Sequence, residues 1–167
     1  MIVSRKEMLE IEEKSGISSF ELINLTGKKL ATHLLPYLEV NSNILVLAGN
    51  GNNGADSFAL INNLKQFHIN LILVNGLPKN PDAMKIYKQI PPSIIQPIDS
   101  LDTCLKSCGV IIDGIFGFDY HGKLTDEMRT VFKQIQDAKK PIYSIDINSG
   151  AECDSAMHDS FALHSTV

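Results

Sequence analysis

Three short segments carry most of the residue types that could do chemistry. Gly49-Asn50-Gly51-Asn52-Asn53-Gly54-Ala55-Asp56 spaces its glycines as G-x-G-x-x-G. Glycine lets such a turn tighten and lets backbone N–H groups approach an anion, and the positive end of a following helix adds to the attraction. A strand-to-helix turn that needs its glycines for steric reasons alone has the same spacing. Asn52, Asn53 and Asp56 add amide and acid oxygens for a ligand or a cation.

Ile111-Ile112-Asp113-Gly114-Ile115-Phe116-Gly117-Phe118 puts an acid at the end of an apolar run, where burial without a partner is costly. Asp113 reads as a site acid or as a cap on its own loop. The polar loop Phe118-Asp119-Tyr120-His121-Gly122-Lys123 follows; its glycine and Lys123 suit a second anion contact, and His121 suits a phosphate or plain solvent. Ile145-Asp146-Ile147-Asn148-Ser149-Gly150 repeats the pattern, with Asp146 either in a site or closing an Asx-type turn.

The elements that must position these segments alternate. The first forty residues predict two helices. One has Ser4 as N-cap, Glu7 completing a capping box, Met8, Ile11 and Glu12 at helical spacing, and Gly16 as its stop. The other starts near Ser18 or Ser19 with Leu22, Leu25, Leu30, Leu34, Leu35 and Leu38 on one face and ends near Pro36 or Tyr37. Both read as core or dimer contact. Strands are expected at Ile44–Ala48, Ile69–Val74, weakly at Ile94–Ile95, and at Val110–Ile112, Pro141–Ile145 and Phe161–Val167. Helices are expected around Leu60–Phe67, at Asp82–Gln89, Ser100–Lys106 and Thr125–Ala138, the last with Met128, Val131, Phe132 and Ile135 inward. Continuous Val/Ile/Leu runs alternating with helices indicate an α/β domain: a doubly wound, mainly parallel sheet in three Rossmann-like layers behind two N-terminal helices. In such a sheet the carboxyl ends of the strands form one crevice, and all three polar segments sit at such ends.

Composition narrows the classes. A chain of 167 residues fits one domain, residues 1–167, with a helical lead-in at 1–40 and a core at 43–167 that stops inside an expected strand. Its 44% hydrophobic and 20% charged residues exclude a disordered chain. A net charge of -4 with scattered Lys and Arg argues against nucleic-acid binding. No apolar run reaches the roughly 18 residues needed to span a bilayer, and Met1-Ile2-Val3 opens no signal-peptide core; the expectation is a cytoplasmic protein without membrane attachment. Cys104, Cys108 and Cys153 read as free thiols, the first two buried or half-buried. His158 and His164 are assigned no metal, and Asp154 and Asp159 are read as solvated. A dinucleotide dehydrogenase would place an acid for the ribose after the second strand; Val74-Asn75-Gly76 has none, which disfavours hydride transfer.

Together the three motifs resemble a family. Gly49–Asp56 is similar to the G-x-G-N-N-G-G-D signature of the YjeF amino-terminal domain, the NAD(P)H-hydrate epimerases. Asp113–Phe118 is similar to that family's D-A-I-F-G-F, and Asp146–Gly150 to its D-I-P-S-G. Ala55 and Ser57 stand where glycines are usual, Asn148 where proline is, and Leu22–Gly27 loosely resembles L-M-E-N-A-G. The resemblance implies epimerisation of the R and S hydrates of NADH and NADPH (NADHX and NADPHX) at C6 of the nicotinamide ring. It implies that Asn52, Asn53, Gly54, Ala55 and Asp56 hold the nucleotide on one side and Gly117, Phe118, Asp119, Tyr120, His121, Gly122 and Lys123 on the other. Asn53, Asp113 and Ser149 would ligate a potassium ion and Asp146 would touch the substrate. Asp146, then Asp113, is the expected proton carrier. A homodimer and a fused or partner ATP- or ADP-dependent dehydratase are implied as well. The competing expectation is a non-catalytic scaffold of the same fold that binds a nucleotide or a protein.

Overall fold

A computed structural model describes residues 4–155 and 158–166. Expectations resting on Met1–Val3 or on Val167 lie outside them. Helix α1 spans Arg5–Lys14 and α2 spans Ser19–Leu34. Each opens on a capping box, Ser4 with Glu7 and Ser18 with Glu21, that satisfies otherwise orphaned backbone N–H groups. Strand β1 (Asn43–Ala48) runs into α3 (Asn52–Asn62) through the glycine loop. Then come β2 (His68–Leu73), α4 (Pro81–Tyr87), β3 (Ile95–Gln96), α5 (Leu101–Ser107), β4 (Val110–Gly114), α6 (Asp126–Asp137) and β5 (Ile142–Ser144).

The sheet is five-stranded with order β3-β2-β1-β4-β5, every pair parallel. Its sides are sorted by the two-residue period of the strands. Ile44, Val46 and Ala48 of β1 join Phe58 and Leu60 of α3 and Ile86 of α4 on one face. Leu45 and Leu47 join Leu101 and Leu105 of α5 and Phe132 and Ile135 of α6 on the other. This double burial explains why β1 and β4 read as unbroken apolar runs. The order reverses direction at β1, so the crevice opens between the ends of β1 and β4.

Most expected elements recur within a residue or two. The third helix differs: it begins at Asn52, inside the glycine loop, and ends before Leu64 and Phe67, which pack in the following turns. The expected strand at Phe161–Val167 does not form among the described residues. Leu163 N–H bonds the carbonyl of Ser149, Thr166 N–H that of Ile142, and the Ala162 carbonyl is taken by the Gln136 side chain. Partners scattered over a loop, a strand start and a helix leave no ladder to propagate. Cys104 and Cys108 are buried free thiols, and Cys153 is an exposed one. Among the described residues no helix is long and apolar enough to cross a membrane.

Candidate functional site

The glycine loop is built by close approach. A Cβ on Gly54 would land on the carbonyl of Gly49, so the turn cannot close around any side chain there. Gly51 caps α3 without a side-chain bond, and no acid stands in the first turn. The first N–H groups of the helix are therefore free for an anion. Ala55 and Ser57 are wholly buried, and both face the interior. Ala55 joins the core; the Ser57 hydroxyl bonds the Asn53 carbonyl at 3.0 Å and lies against Gly114. The Ala55 side chain, expected at the ligand, packs into the core instead, and Gly54 shapes the turn by close approach to Gly49.

A cavity of about 510 Å³ opens at the strand ends. Asn52, Asn53 and Asp56 come to it from α3, Gly117–Tyr120 from the loop after β4, and Asp146 from the loop after β5. The expected convergence is therefore present. The loop after β4 divides, however. Gly117, Phe118, Asp119 and Tyr120 line this cavity, whereas His121, Gly122 and Lys123 are exposed outside it, with Gly122 and Lys123 in a neighbouring depression. The division has a cause: Tyr120 stacks on Phe116 with ring centroids 4.6 Å apart, and Gly122 N–H is drawn to Glu152 at 3.0 Å.

Asp146 holds the near half of that loop. Its Oδ2 accepts the Phe118 N–H at 2.6 Å, and a side chain on Gly117 would crowd that carboxylate. Asp146 itself adopts φ 69, a left-handed conformation that costs roughly 1–3 kcal/mol outside glycine and that gathers at functional sites. Asp113 is placed differently. It is 0% exposed and does not line the cavity. One of its oxygens accepts Ile115 N–H at 3.1 Å and the Ser149 hydroxyl at 2.6 Å; the other accepts Ser149 N–H at 3.0 Å and the Ser144 hydroxyl at 2.9 Å. Asp113 ties β4 to the β5 loop, and a proton-carrying role has no access there.

The charge in the cavity is one-sided. Glu12, Asp56, Asp119 and Asp146 line it, and among the described residues no Lys, Arg or His does. Burial, then the negative charges of Asp146 and Glu12, pushes the Asp56 carboxyl up to about 7. Burial also raises Asp146, against the Phe118 N–H and with Asp119, and raises Glu12 with help from Asp119 and Asp146. Asp113 is raised by burial while its bonds from Ser149, Ile115 and Ser144 oppose the shift.

Among the described residues two buried carboxamide oxygens are left without a partner. Asn53, 7% exposed, donates through Nδ2 to the carbonyls of Phe116 at 2.7 Å and Ile145 at 3.2 Å, while its Oδ1 is buried without a partner. Asn75 Oδ1 is in the same state. A sealed, unpaired acceptor on Asn53 suits a hard cation, and the Asn53 amide shares the Phe116 carbonyl with the Ser149 hydroxyl, which in turn bonds Asp113. Among the described residues no three His, Cys, Asp or Glu side chains form another metal cluster.

Several lining residues escape a reading of the motifs: Met8 and Glu12 of α1, Thr26 and Leu30 of α2, and Asn50 and Asn75. α2 is thus cavity wall as well as core, through Ile23 and Ala31, whereas α1 is cavity wall alone: its Met8, Leu9 and Ile11 stay exposed and, among the described residues, it adds nothing to the core, against the expectation. A signal existed, since Glu12 stands four residues after Met8 on the apolar side of α1. Asp159, expected in solvent, is half-buried with a side chain only 5% exposed; it accepts N–H groups of Leu124 and Phe161 and pairs with Arg129 at 3.1 Å. It fastens the segment after 158 to α6.

A parallel sheet with an uncapped helix terminus and convergent acids at its switch point defines a Rossmann-like domain with one shared cleft at its strand ends. The chain belongs to the family described as YjeF-related protein N-terminus, which it matches over residues 19–167. It is 27% identical over 154 residues to the NAD(P)H-hydrate epimerase of Fusarium vanettenii and 29% identical over 153 residues to that of Caenorhabditis elegans. These alignments cover 90% and 89% of this chain, which spans 65% of the length of either relative. Against the bifunctional NAD(P)H-hydrate repair enzyme Nnr of Dictyoglomus turgidum it is 34% identical over 120 residues, 69% of this chain and 23% of that protein. The fold matches the crystal structure of the yeast protein ynu0 with a TM-score of 0.86 at 20% identity, over 99% of this chain and 77% of that one.

Proposed function

We propose that the protein interconverts the R and S hydrates of NADH and NADPH at C6 of the reduced nicotinamide ring. The observation that carries this reading is the meeting of three separate strand-end loops in one cavity of about 510 Å³, of the size that takes small-molecule ligands. The reaction changes no oxidation state. It needs a carboxyl group that can give and retake a proton, and a charged tail held so that the ring stays in place. The free N–H groups at the start of α3 suit the diphosphate. The names of the relatives from Fusarium vanettenii and Caenorhabditis elegans support the same substrate.

For potassium, Asn53, Asp113 and Ser149 would hold the ion, all through oxygen. Bound there, it would supply positive charge to a site whose own side chains are acidic. In the complete protein we propose a homodimer, supported by exposed apolar residues on α1 and α2 such as Ile11 at 50% and Leu25 at 47%. A fused or partner dehydratase is supported by the bifunctional relative. Light scattering of the purified protein tests the dimer.

The deciding experiment incubates the protein with pure R-hydrate and follows S-hydrate by chromatography, in potassium and in sodium buffer. Conversion faster than in buffer alone supports the reading. Tight nucleotide binding with no conversion would establish the scaffold instead.

A further inference from the structure

The carboxyl groups around the cavity are not equivalent. Asp146 is committed to the Phe118 N–H, and Asp113 is sealed beneath the rim. Asp56 stands one turn into α3 and lines the cavity; among the described residues its carboxylate accepts no hydrogen bond and joins no ion pair. Glu12 reaches the same space from α1, which precedes the residues 19–167 matched to the family.

We propose that Asp56 is the catalytic residue that gives and retakes the proton at the C6 hydroxyl, and that Glu12, lining the same cavity, is a positioning residue that acts through Asp56. This rests on the epimerase reading. Asp56 passes its proton to the C6 oxygen as the C6–O bond breaks, the N1 lone pair forms a C6=N1 iminium, and water leaves. Water then adds to the other face, the π pair returns to N1, and Asp56 takes back the proton. Atoms and electrons balance with no co-reactant.

The electrostatics agree with this geometry. Facing Asp56 are Glu12 of α1, Asp119 of the loop after β4 and Asp146 of the loop after β5; α2 offers the non-titrating Thr26 and Leu30. Burial, then Asp146 and Glu12, brings Asp56 to about 7, so acid and base forms are both present at neutral pH. Each further negative charge withdraws support from the ionised form.

The test measures kcat/KM for R-hydrate from pH 5 to 9 in wild type, Asp56→Asn, Asp56→Glu and Glu12→Gln. Wild type should lose activity on an alkaline limb near pH 7, as the acid form disappears. Asp56→Asn should lose roughly 10²–10⁴-fold in kcat with little change in KM, and Asp56→Glu should recover part of it. Glu12→Gln should move the limb to lower pH. Carbon-13 NMR titration of the Asp56 carboxyl in wild type gives a reading independent of activity and of how any variant folds. Titration at an ordinary aspartate value, or Asp56→Asn within about threefold of wild type with an unmoved limb, overturns the proposal. An unmoved limb in Glu12→Gln overturns the part assigned to Glu12. If wild type itself leaves R-hydrate unchanged, the epimerase reading fails instead.

Discussion

Asp113, near the end of β4, and Asp56, one turn into α3, are the same side chain, and their surroundings use them in opposite ways. Around Asp113, where β4 meets the loop after β5, four protein donors reach the carboxylate. Around Asp56, between α1 and α3, the neighbours are other acids and open space. The first arrangement stabilises the fold and the second opposes it. Position at a strand end makes an acid a candidate; the donors within reach decide whether it serves structure or ligand.

The comparison breaks most visibly by removing each acid in turn. Asp113→Leu should destabilise the fold by about 4 kcal/mol or more, since the N–H groups of Ile115 and Ser149 and the hydroxyls of Ser144 and Ser149 lose their acceptor at about 1 kcal/mol or more each. Urea denaturation followed by circular dichroism reads this as a lower midpoint. A loss under ~1 kcal/mol would mean that the network contributes little.

Asp56→Asn should do the reverse. Its folded-state value of about 7 lies above its ordinary 3.8, so between those values the folded state binds more protons than the unfolded one. Stability therefore falls as pH rises through that window, and above pH 7 the loss is complete, up to about 4 kcal/mol for some three units. The variant should be more stable than wild type at pH 8, equal to it near pH 3.5, and nearly inactive. A higher melting temperature at pH 8 alone checks the sign, and equal shifts at both pH values would contradict it.

Exchanging potassium for lithium at constant ionic strength is the next smaller test. Ion bound by Asn53, Asp113 and Ser149 at concentrations well above its dissociation constant would stabilise the folded state by about 1–3 kcal/mol. Asn53→Leu should abolish the difference, because it removes the unpaired Oδ1. Identical melting curves in the two salts would leave that oxygen without a role.

How far these features were legible follows from where their causes lie in the chain. The strands and the glycine turn depend on neighbours within a few residues, so periodicity and spacing revealed them. The rim depends only on topology, which parallel alternation fixes. The fate of Asp113 depends on Ser149, 36 residues away, and nothing at position 113 announces that partner. Glu12 enters the site only because α1 packs beside the strand ends, and the Asp159 side chain is buried because Arg129 lies 30 residues back. The split of the loop at Tyr120 turns on a ring stacked against Phe116. Tertiary contacts of this range leave no local periodicity to read.

The smallest expected effect tests the same division between supporting and ligand-facing positions within one motif. Ala55 departs from the glycine usual in this family, and a methyl facing the ligand would crowd it. In this structure Ala55 is 0% exposed, packed in the core, and held in α3 without a positive φ. Ala55→Gly should then give no gain in affinity. It should cost about 1–2 kcal/mol of stability, from glycine's poor helix propensity and the lost burial of one methyl. Isothermal titration with the oxidised dinucleotide, beside a urea melt, separates the two quantities. Tenfold tighter binding at unchanged stability would move Ala55 to the ligand side, and the helix start would then have to be rotated relative to the rim.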